Sequence, residues 1–197
     1  MGRKKCLPER EELVLASAAK LFSVQGYEKT TLDGIAAHAG VSKGSIYLEF
    51  PSKEEILFSL IERSKESELV AMRRIANRAH EKALILLKEM LVQHIGDIFD
   101  SVQQKNLGDE ELLQARKQFY PRLQPFIEAR LDLIESLLQR AQHLGEITTP
   151  LADCRRTAQL IMLALRAVRP PYWYYDDRLS LQRDAAEILE LIMKGLR

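Results

Sequence analysis

The sequence predicts an all-α fold of about nine helices, and three observations carry that prediction. Apolar residues recur at i, i+3, i+4 and i+7 along most of the 197 residues, the interruptions fall at Gly and Pro, and no segment reads as a strand. Nine Gly and seven Pro are too few for a loop-rich all-β chain. With 46% hydrophobic and 29% charged residues the composition is that of a globular chain, which excludes a mostly disordered one and a disulfide-stapled miniprotein.

The first helix is expected from Pro8, which a first turn accepts, to Gln25, with Val14, Ala18, Leu21 and Phe22 inward and Gly26 as its stop. Thr30 and Thr31 are N-cap candidates for a short second helix over Leu32 to His38, in which Ile35 and Ala36 face inward. Ala39-Gly40-Val41 then turns the chain, Ser42 caps a third helix through Leu48, and Phe50-Pro51 ends it. Ser52-Lys53-Glu54-Glu55 has serine and glutamate three apart, a capping box that opens a fourth helix to about Arg78, roughly 39 Å long at 1.5 Å per residue.

Five more helices are expected over Glu81–Gln104, Asp109–Phe119, Arg122–His143, Pro150–Val168 and Ser180–Lys194. In the Arg122 helix, Leu123, Phe126, Ile127, Leu131, Ile134, Leu138 and Ala141 keep the helical spacing until Gly145 stops it. Asn106-Leu107-Gly108 and the stretch Arg169 to Leu179 are the loop candidates.

The net charge is +1, from 29 Lys plus Arg against 28 Asp plus Glu, so only the local distribution of charge can speak for or against a nucleic-acid partner. Two cysteines, Cys6 and Cys154, with no CxxC pair, suit a reducing compartment. The longest apolar run, Leu160 to Leu165, falls far short of the roughly 20 residues that span a bilayer. No signal-peptide core follows Met1 to Lys5 before Pro8, Glu9 and Arg10, so a cytoplasmic chain with no membrane partner is expected.

Residues 30 to 53, TTLDGIAAHAGVSKGSIYLEFPSK, carry the most information and read as a helix-turn-helix. Two short helices that cross steeply need a small residue at the contact, Ala36, and a turn that tolerates positive φ, Gly40. Ile35, Val41, Ile46 and Phe50 would plug the core between them and leave Ser42, Lys43, Gly44, Ser45 and Tyr47 outward. That outward set is small or hydrogen-bonding, so it can enter a major groove and meet base edges. Thr30, Thr31, Tyr47 and Lys53 place hydroxyls or a charge at the edges of the unit, where phosphate oxygens would lie, and Lys53 opens a helix whose N-terminus favours anions. Over residues 1 to 55, however, Arg3, Lys4, Lys5, Arg10, Lys20, Lys29, Lys43 and Lys53 are balanced by Glu9, Glu11, Glu12, Glu28, Asp33, Glu49, Glu54 and Glu55. Affinity would therefore depend on where the cations sit, the Arg3-Lys4-Lys5 arm included.

This segment resembles the TetR family of bacterial transcriptional regulators, whose signature runs from a paired threonine through I-A-x-x-A-G-V-S-x-G-[ST]-[IL]-Y to F-x-[SN]-K-[ED], and Thr30 to Glu54 matches it nearly throughout. The resemblance covers about the first 60 residues. It implies a helix-turn-helix DNA-binding domain over residues 1–52 and a helical ligand-binding and dimerisation domain over 53–197, joined through the long fourth helix. It further implies a homodimer built on the last two helices, a palindromic double-stranded operator, and in most members repression. Family positions that touch bases fall on Lys43, Gly44 and Ser45, and those that touch phosphate on Thr31, Ser42, Tyr47 and Lys53. Glu49 departs from the pattern, standing where the family commonly places histidine or tyrosine; a carboxylate there is expected to point away from DNA or to be neutralised by a neighbouring cation.

Beyond the matched segment the residues speak for themselves. Leu151, Cys154, Ala158, Ile161, Leu165 and Val168 are spaced as a coiled-coil seam, while Leu160, Leu163, Ala164 and Ala167 make a second apolar face, so this helix needs two neighbours. In the last helix Leu181, Ala185, Ile188 and Ile192 form one stripe, extended by Leu189, Leu191 and Met193. Ala158, Ile161, Leu165, Val168, Leu181, Ala185, Ile188 and Ile192 are accordingly assigned to a two-fold four-helix interface, which would set two reading heads roughly 34–36 Å apart, although burial within one monomer is the alternative. Met90, Phe99, Phe119, Tyr120, Phe126 and Met162 offer adaptable apolar or aromatic surface for an effector, or plain core. Arg166 is a candidate clamp for an anionic effector, against an interface salt bridge or a solvent-facing stem. Pro170-Pro171-Tyr172-Trp173-Tyr174-Tyr175 would end a helix and either cover a cavity mouth or pack between helices.

His38, His80, His94 and His143 form no HxxxH or HExxH pattern, and there is no Walker loop, GxSxG elbow or Gly-rich dinucleotide fingerprint. No metal, cofactor or catalytic site is expected. The sequence thus points to a DNA-binding transcriptional regulator, a repressor released from its operator by a small-molecule effector. Two alternatives stand beside it: a regulator of the same build without an effector, and a helical interaction module that has lost DNA reading through Glu49.

Overall fold

The computed structural model describes residues 7–105, 109–148, 150–167 and 177–196. The described residues form eight α-helices and no strand: α1 (Leu7–Gln25), α2 (Leu32–Ala39), α3 (Lys43–Glu49), α4 (Lys53–Ala76), α5 (Ala83–Lys105), α6 (Asp109–His143), α7 (Cys154–Ala167) and α8 (Arg178–Leu196). The Arg3-Lys4-Lys5 arm, Cys6, the 106–108 loop, Val168, Arg169 and the 170–175 aromatic cluster lie outside the described residues. No described helix is long and apolar enough to cross a membrane.

The expected nine helices become eight because the two placed over 109–119 and 122–143 are one helix, α6, of 35 residues. Pro121 and Pro125 are both interior to it. Each lacks the N–H that would bond four residues back, and the two are four apart on one face and both exposed.

The chain divides into two compact units, Met1–Lys65 with Ser101–Pro121, and Glu66–Asp100 with Arg122–Arg197. In the first, Val14, Leu15, Ala18 and Phe22 of α1 are buried, as are Ile35, Ala36, Ile46 and Phe50 of the α2–α3 segment. Phe22 meets Tyr27 with ring centroids 5.2 Å apart, and Phe58 of α4 meets Phe119 of α6 at 5.0 Å. Arg63 on α4 pairs with Glu11 at 3.1 Å and with Glu12 on α1.

The second unit holds a continuous apolar core from α4 to α8 that includes Met72, Leu86, Leu87, Leu91, Ile134 and Leu138. Its helix ends are capped by side chains remote in sequence. Gly145, at φ 70°, ends α6 and delivers Glu146, whose carboxylate accepts from the first N–H groups of α5, Ala83 at 2.9 Å and Leu84 at 3.0 Å. Arg140 donates to the carbonyls of Ala79 at 2.7 Å and Glu81 at 2.8 Å in the α4–α5 connection.

The residues assigned to a two-fold interface on α7 and α8 divide by burial. Ala158, Ile161, Leu165, Leu181 and Ala185 are buried by the chain's own core, while Ile188 and Ile192 are half-buried against it. The buried stripe of α8 runs Leu181, Ala185, Leu189, Met193, and the exposed apolar side chains are Leu160 and Leu163 on α7 with Leu179 and Leu191 on α8. Both faces of α7 were legible as apolar; which one turns inward is decided by the space α5 and α6 leave for it.

Candidate nucleic-acid interface

The reading unit is built by two N-caps and one left-handed corner. Thr31, in extended conformation, accepts through Oγ1 from Gly34 N at 3.1 Å and starts α2. Gly40 ends α2 at φ 66°, ψ 31°, a conformation in which a Cβ would meet its own backbone, and its N–H and that of Val41 close onto Ala37 O and Ala36 O. Two residues on, Ser42 Oγ accepts from Ser45 N at 3.1 Å and starts α3. Ile35, Ala36, Ala39, Ile46 and Phe50 fill the angle between the two helices.

This packing turns Ser42, Lys43 and Gly44 fully outward, with Ser45 partly covered and its hydroxyl 2.8 Å from that of Ser42. Tyr47 is 51% and Leu48 87% exposed. Leu48 was not among the residues singled out above, although the signal was present: with Ile46 and Phe50 four apart on the inner face, position 48 must lie opposite. A bare leucine on that face can meet only an apolar group, such as a thymine methyl.

Charge on this face is held in internal pairs. Lys43 reaches Asp33 at 2.5 Å, which raises its pKa through the hydrogen bond and the attraction of that carboxylate. Glu49 pairs with Arg10 of α1, 39 residues earlier, so its carboxylate is neutralised by a neighbouring cation as expected. No sequence signal could have named Arg10 as the partner, because only the packing of α1 against α3 brings the two together.

Two of the expected edge groups are committed to the fold. Thr30 is 1% exposed; its hydroxyl donates to Gly26 O at 2.7 Å and accepts from Gln25 at 3.1 Å, so it braces the end of α1 and is withdrawn from the contact surface. Lys53 is half-buried, donates to Tyr27 O at 2.8 Å and lies 4.1 Å from the centre of the Tyr27 ring. Tyr27 in turn donates to Glu54 at 3.1 Å, and Ser52 accepts from Glu55 N at 3.3 Å as the capping box requires.

The residues assigned to an effector fall in both units. Met90 and Phe99 are buried in the core of the second unit, with Phe126 and Met162 packed against it. Phe119 belongs to the first unit, Tyr120 is exposed, and Arg166 is exposed on α7.

A solvent-facing short helix presented by a glycine corner and framed by hydroxyls defines a helix-turn-helix DNA-binding protein. Residues 14–60 match the family described as bacterial regulatory proteins, tetR family. The chain is 26% identical over 185 residues to the fatty acid metabolism regulator protein of Bacillus subtilis (strain 168), covering 93% of each chain. It is 25% identical over 197 residues to the HTH-type transcriptional repressor BepR of Brucella suis biovar 1 (strain 1330), covering 96% of this chain and 92% of that one. The solved transcriptional regulator from Cytophaga hutchinsonii ATCC 33406 shares the fold, with a TM-score of 0.76 over 94% of this chain and 97% of that one at 20% identity. Residues 14–60 thus carry the segment that the tetR family shares, and the chain is a DNA-binding transcriptional regulator similar over nearly its whole length to members of known function.

Proposed function

We propose that the protein is a non-enzymatic homodimeric repressor that binds a palindromic operator through α3 and leaves it when a small molecule occupies the second unit. The observation that carries the DNA-reading part is the exposure of Lys43 and Gly44 at the start of α3, with Ser45 beside them, on a corner that only a positive-φ residue forms cheaply. In this reading Lys43, Gly44 and Ser45 meet base edges, with Leu48 against a methyl group. Thr31, Ser42, Tyr47 and the part of the Lys53 ammonium not directed at Tyr27 O meet phosphate. The pairing of Glu49 with Arg10 supports this reading over a head that has lost DNA reading, since a counter-charge stands beside the carboxylate.

Dimerisation is assigned to the exposed leucines of the last two helices, Leu160 and Leu163 on α7 with Leu179 and Leu191 on α8, which water would otherwise cover. Release by an effector is supported by the gathering of Met90, Phe99, Phe126 and Met162 in one adaptable cluster. A ligand that prefers the conformation with badly spaced heads weakens DNA binding by the factor by which DNA weakens its own binding, typically about 5–150-fold.

The test is a footprint of the full chain on the DNA flanking its own gene, followed by salt titrations. A palindromic protected site is expected. Lys43→Ala should lower affinity on every sequence and reduce the salt slope by about 1, whereas Ser45→Ala should change base preference and leave the slope in place. Absence of any protected site, or identical effects of both substitutions on all sequences, contradicts the assigned roles.

A further inference from the structure

Three ionisable side chains from three helices meet inside the second unit, and the reading head has no use for them. Glu68 of α4 is 4% exposed, His94 of α5 0% and Arg130 of α6 7%. Glu68 Oε1 lies 2.6 Å from His94 Nδ1 and 3.1 Å from Arg130 Nη2, and Arg130 Nη1 lies 3.3 Å from His94 Nε2. Arginine can only donate, so His94 Nε2 is the acceptor there, the ring proton sits on Nδ1 and is donated to Glu68, and the imidazole is neutral. The cluster therefore carries one positive and one negative charge. Burial lowers the Arg130 pKa against the opposing pull of Glu68, yet a guanidinium stays charged under ordinary conditions.

Stability does not account for this arrangement, because buried ion pairs can often be replaced by apolar residues of similar volume without loss. The geometry is also incomplete. The edge of a guanidinium formed by Nε and Nη2 grips both oxygens of a carboxylate in a full bidentate pair. Here Nη2 meets a single oxygen of Glu68, shared with His94, and Arg130 Nε is buried without a hydrogen-bond partner among the described residues. An unmet buried donor is a standing cost that an acceptor would relieve. Apolar residues lie near it along the helices, Met90 one turn before His94, and Phe126 and Ile127, half-buried, one turn before Arg130, while Asp97 of α5 is close enough to Glu68 to have its pKa raised by that charge in addition to the larger effect of burial.

We infer that Arg130 is the head-group site of the effector, with its Nε edge receiving the carboxylate of a small monoanionic amphiphile whose apolar part lies among Met90, Phe126 and Ile127. This rests on the proposal that the second unit takes an effector, and it specifies what that effector must carry. Glu68 orients the guanidinium and is its counter-charge within the triad, and His94 orients Glu68.

The experiment measures binding to the full-length protein by calorimetry, with octanoate and decanoate against octanol and decanol. Carboxylates should bind at least about tenfold more tightly than the alcohols of equal length, the contribution of one charge-assisted hydrogen bond. Arg130→Met should abolish that preference while alcohol binding persists, which also reports that the variant has folded. Glu68→Gln should strengthen carboxylate binding, because it leaves the guanidinium without its resident counter-charge; this variant reads the same site if Arg130→Met does not fold. Equal binding of acids and alcohols by the wild type, or a preference that survives Arg130→Met, overturns the inference. Operator affinity measured with and without decanoate separates it from the reading it rests on: carboxylate binding that leaves DNA affinity unchanged keeps the site and removes release by this ligand.

Discussion

Glu49 places a carboxylate on the helix proposed to face phosphate, and Arg10 of α1 is the cation paired with it. The pair is mostly buried on the carboxylate side, so its attraction is screened less than that of an exposed pair. Arg10→Met should uncover the negative charge and weaken operator binding about fivefold at low salt, an effect of roughly 1 kcal/mol, that of two charges about 4 Å apart with water between them. Removing both charges, in Arg10→Met with Glu49→Gln, should restore most of that loss, as read by fluorescence anisotropy on the operator. A double variant as weak as the single one would instead make Arg10 itself a phosphate contact. Lys43 and Asp33 are a looser case, both well exposed, and a cation so placed can exchange its carboxylate for phosphate at little cost.

At the scale of elements, the start of α4 combines several local devices. Ser52 caps it, and Glu54 has its pKa lowered chiefly by the hydrogen bond to its own backbone N–H, with further help from Ser52, Tyr27 and the charge of Lys53, against the opposing effect of burial. A carboxylate with a lowered folded-state pKa favours the fold in its ionised form. That contribution is complete above the ordinary value of 4.5 and is lost as pH falls through the lower folded value. Thermal melts between about pH 7 and about pH 3 should therefore show a smaller acid loss in Glu54→Gln than in the wild type. Parallel curves would mean that Glu54 has no such preference. The capping box and both N-caps of the reading unit were legible in the sequence, because a cap is decided by residues three apart. The continuity of α6 was not, since a proline reads as a stop unless one knows that the face it damages is exposed.

For the whole molecule, the open question is what covers the outer face of α7 and α8. Leu160, Leu163, Leu179 and Leu191 are exposed in the single chain. Leu163→Glu should leave each chain folded, since this side chain is outside the core, but shift the protein to monomers by light scattering. Operator affinity should then fall by about 100-fold or more, because the second half-site no longer binds as an intramolecular event. A variant that stays dimeric with unchanged operator affinity would place the interface elsewhere.

The sequence by itself determined the all-helical class, the corner at Gly40, the caps and the outward set on α3, because periodicity, capping and positive φ are properties of residues within a turn or two of one another. Tertiary structure alone decided which apolar face of α7 is core, that Glu49 pairs with Arg10, and that Glu68, His94 and Arg130 meet. Each of those outcomes depends on side chains from separate helices competing for the same interior volume, and nothing in local spacing records who wins.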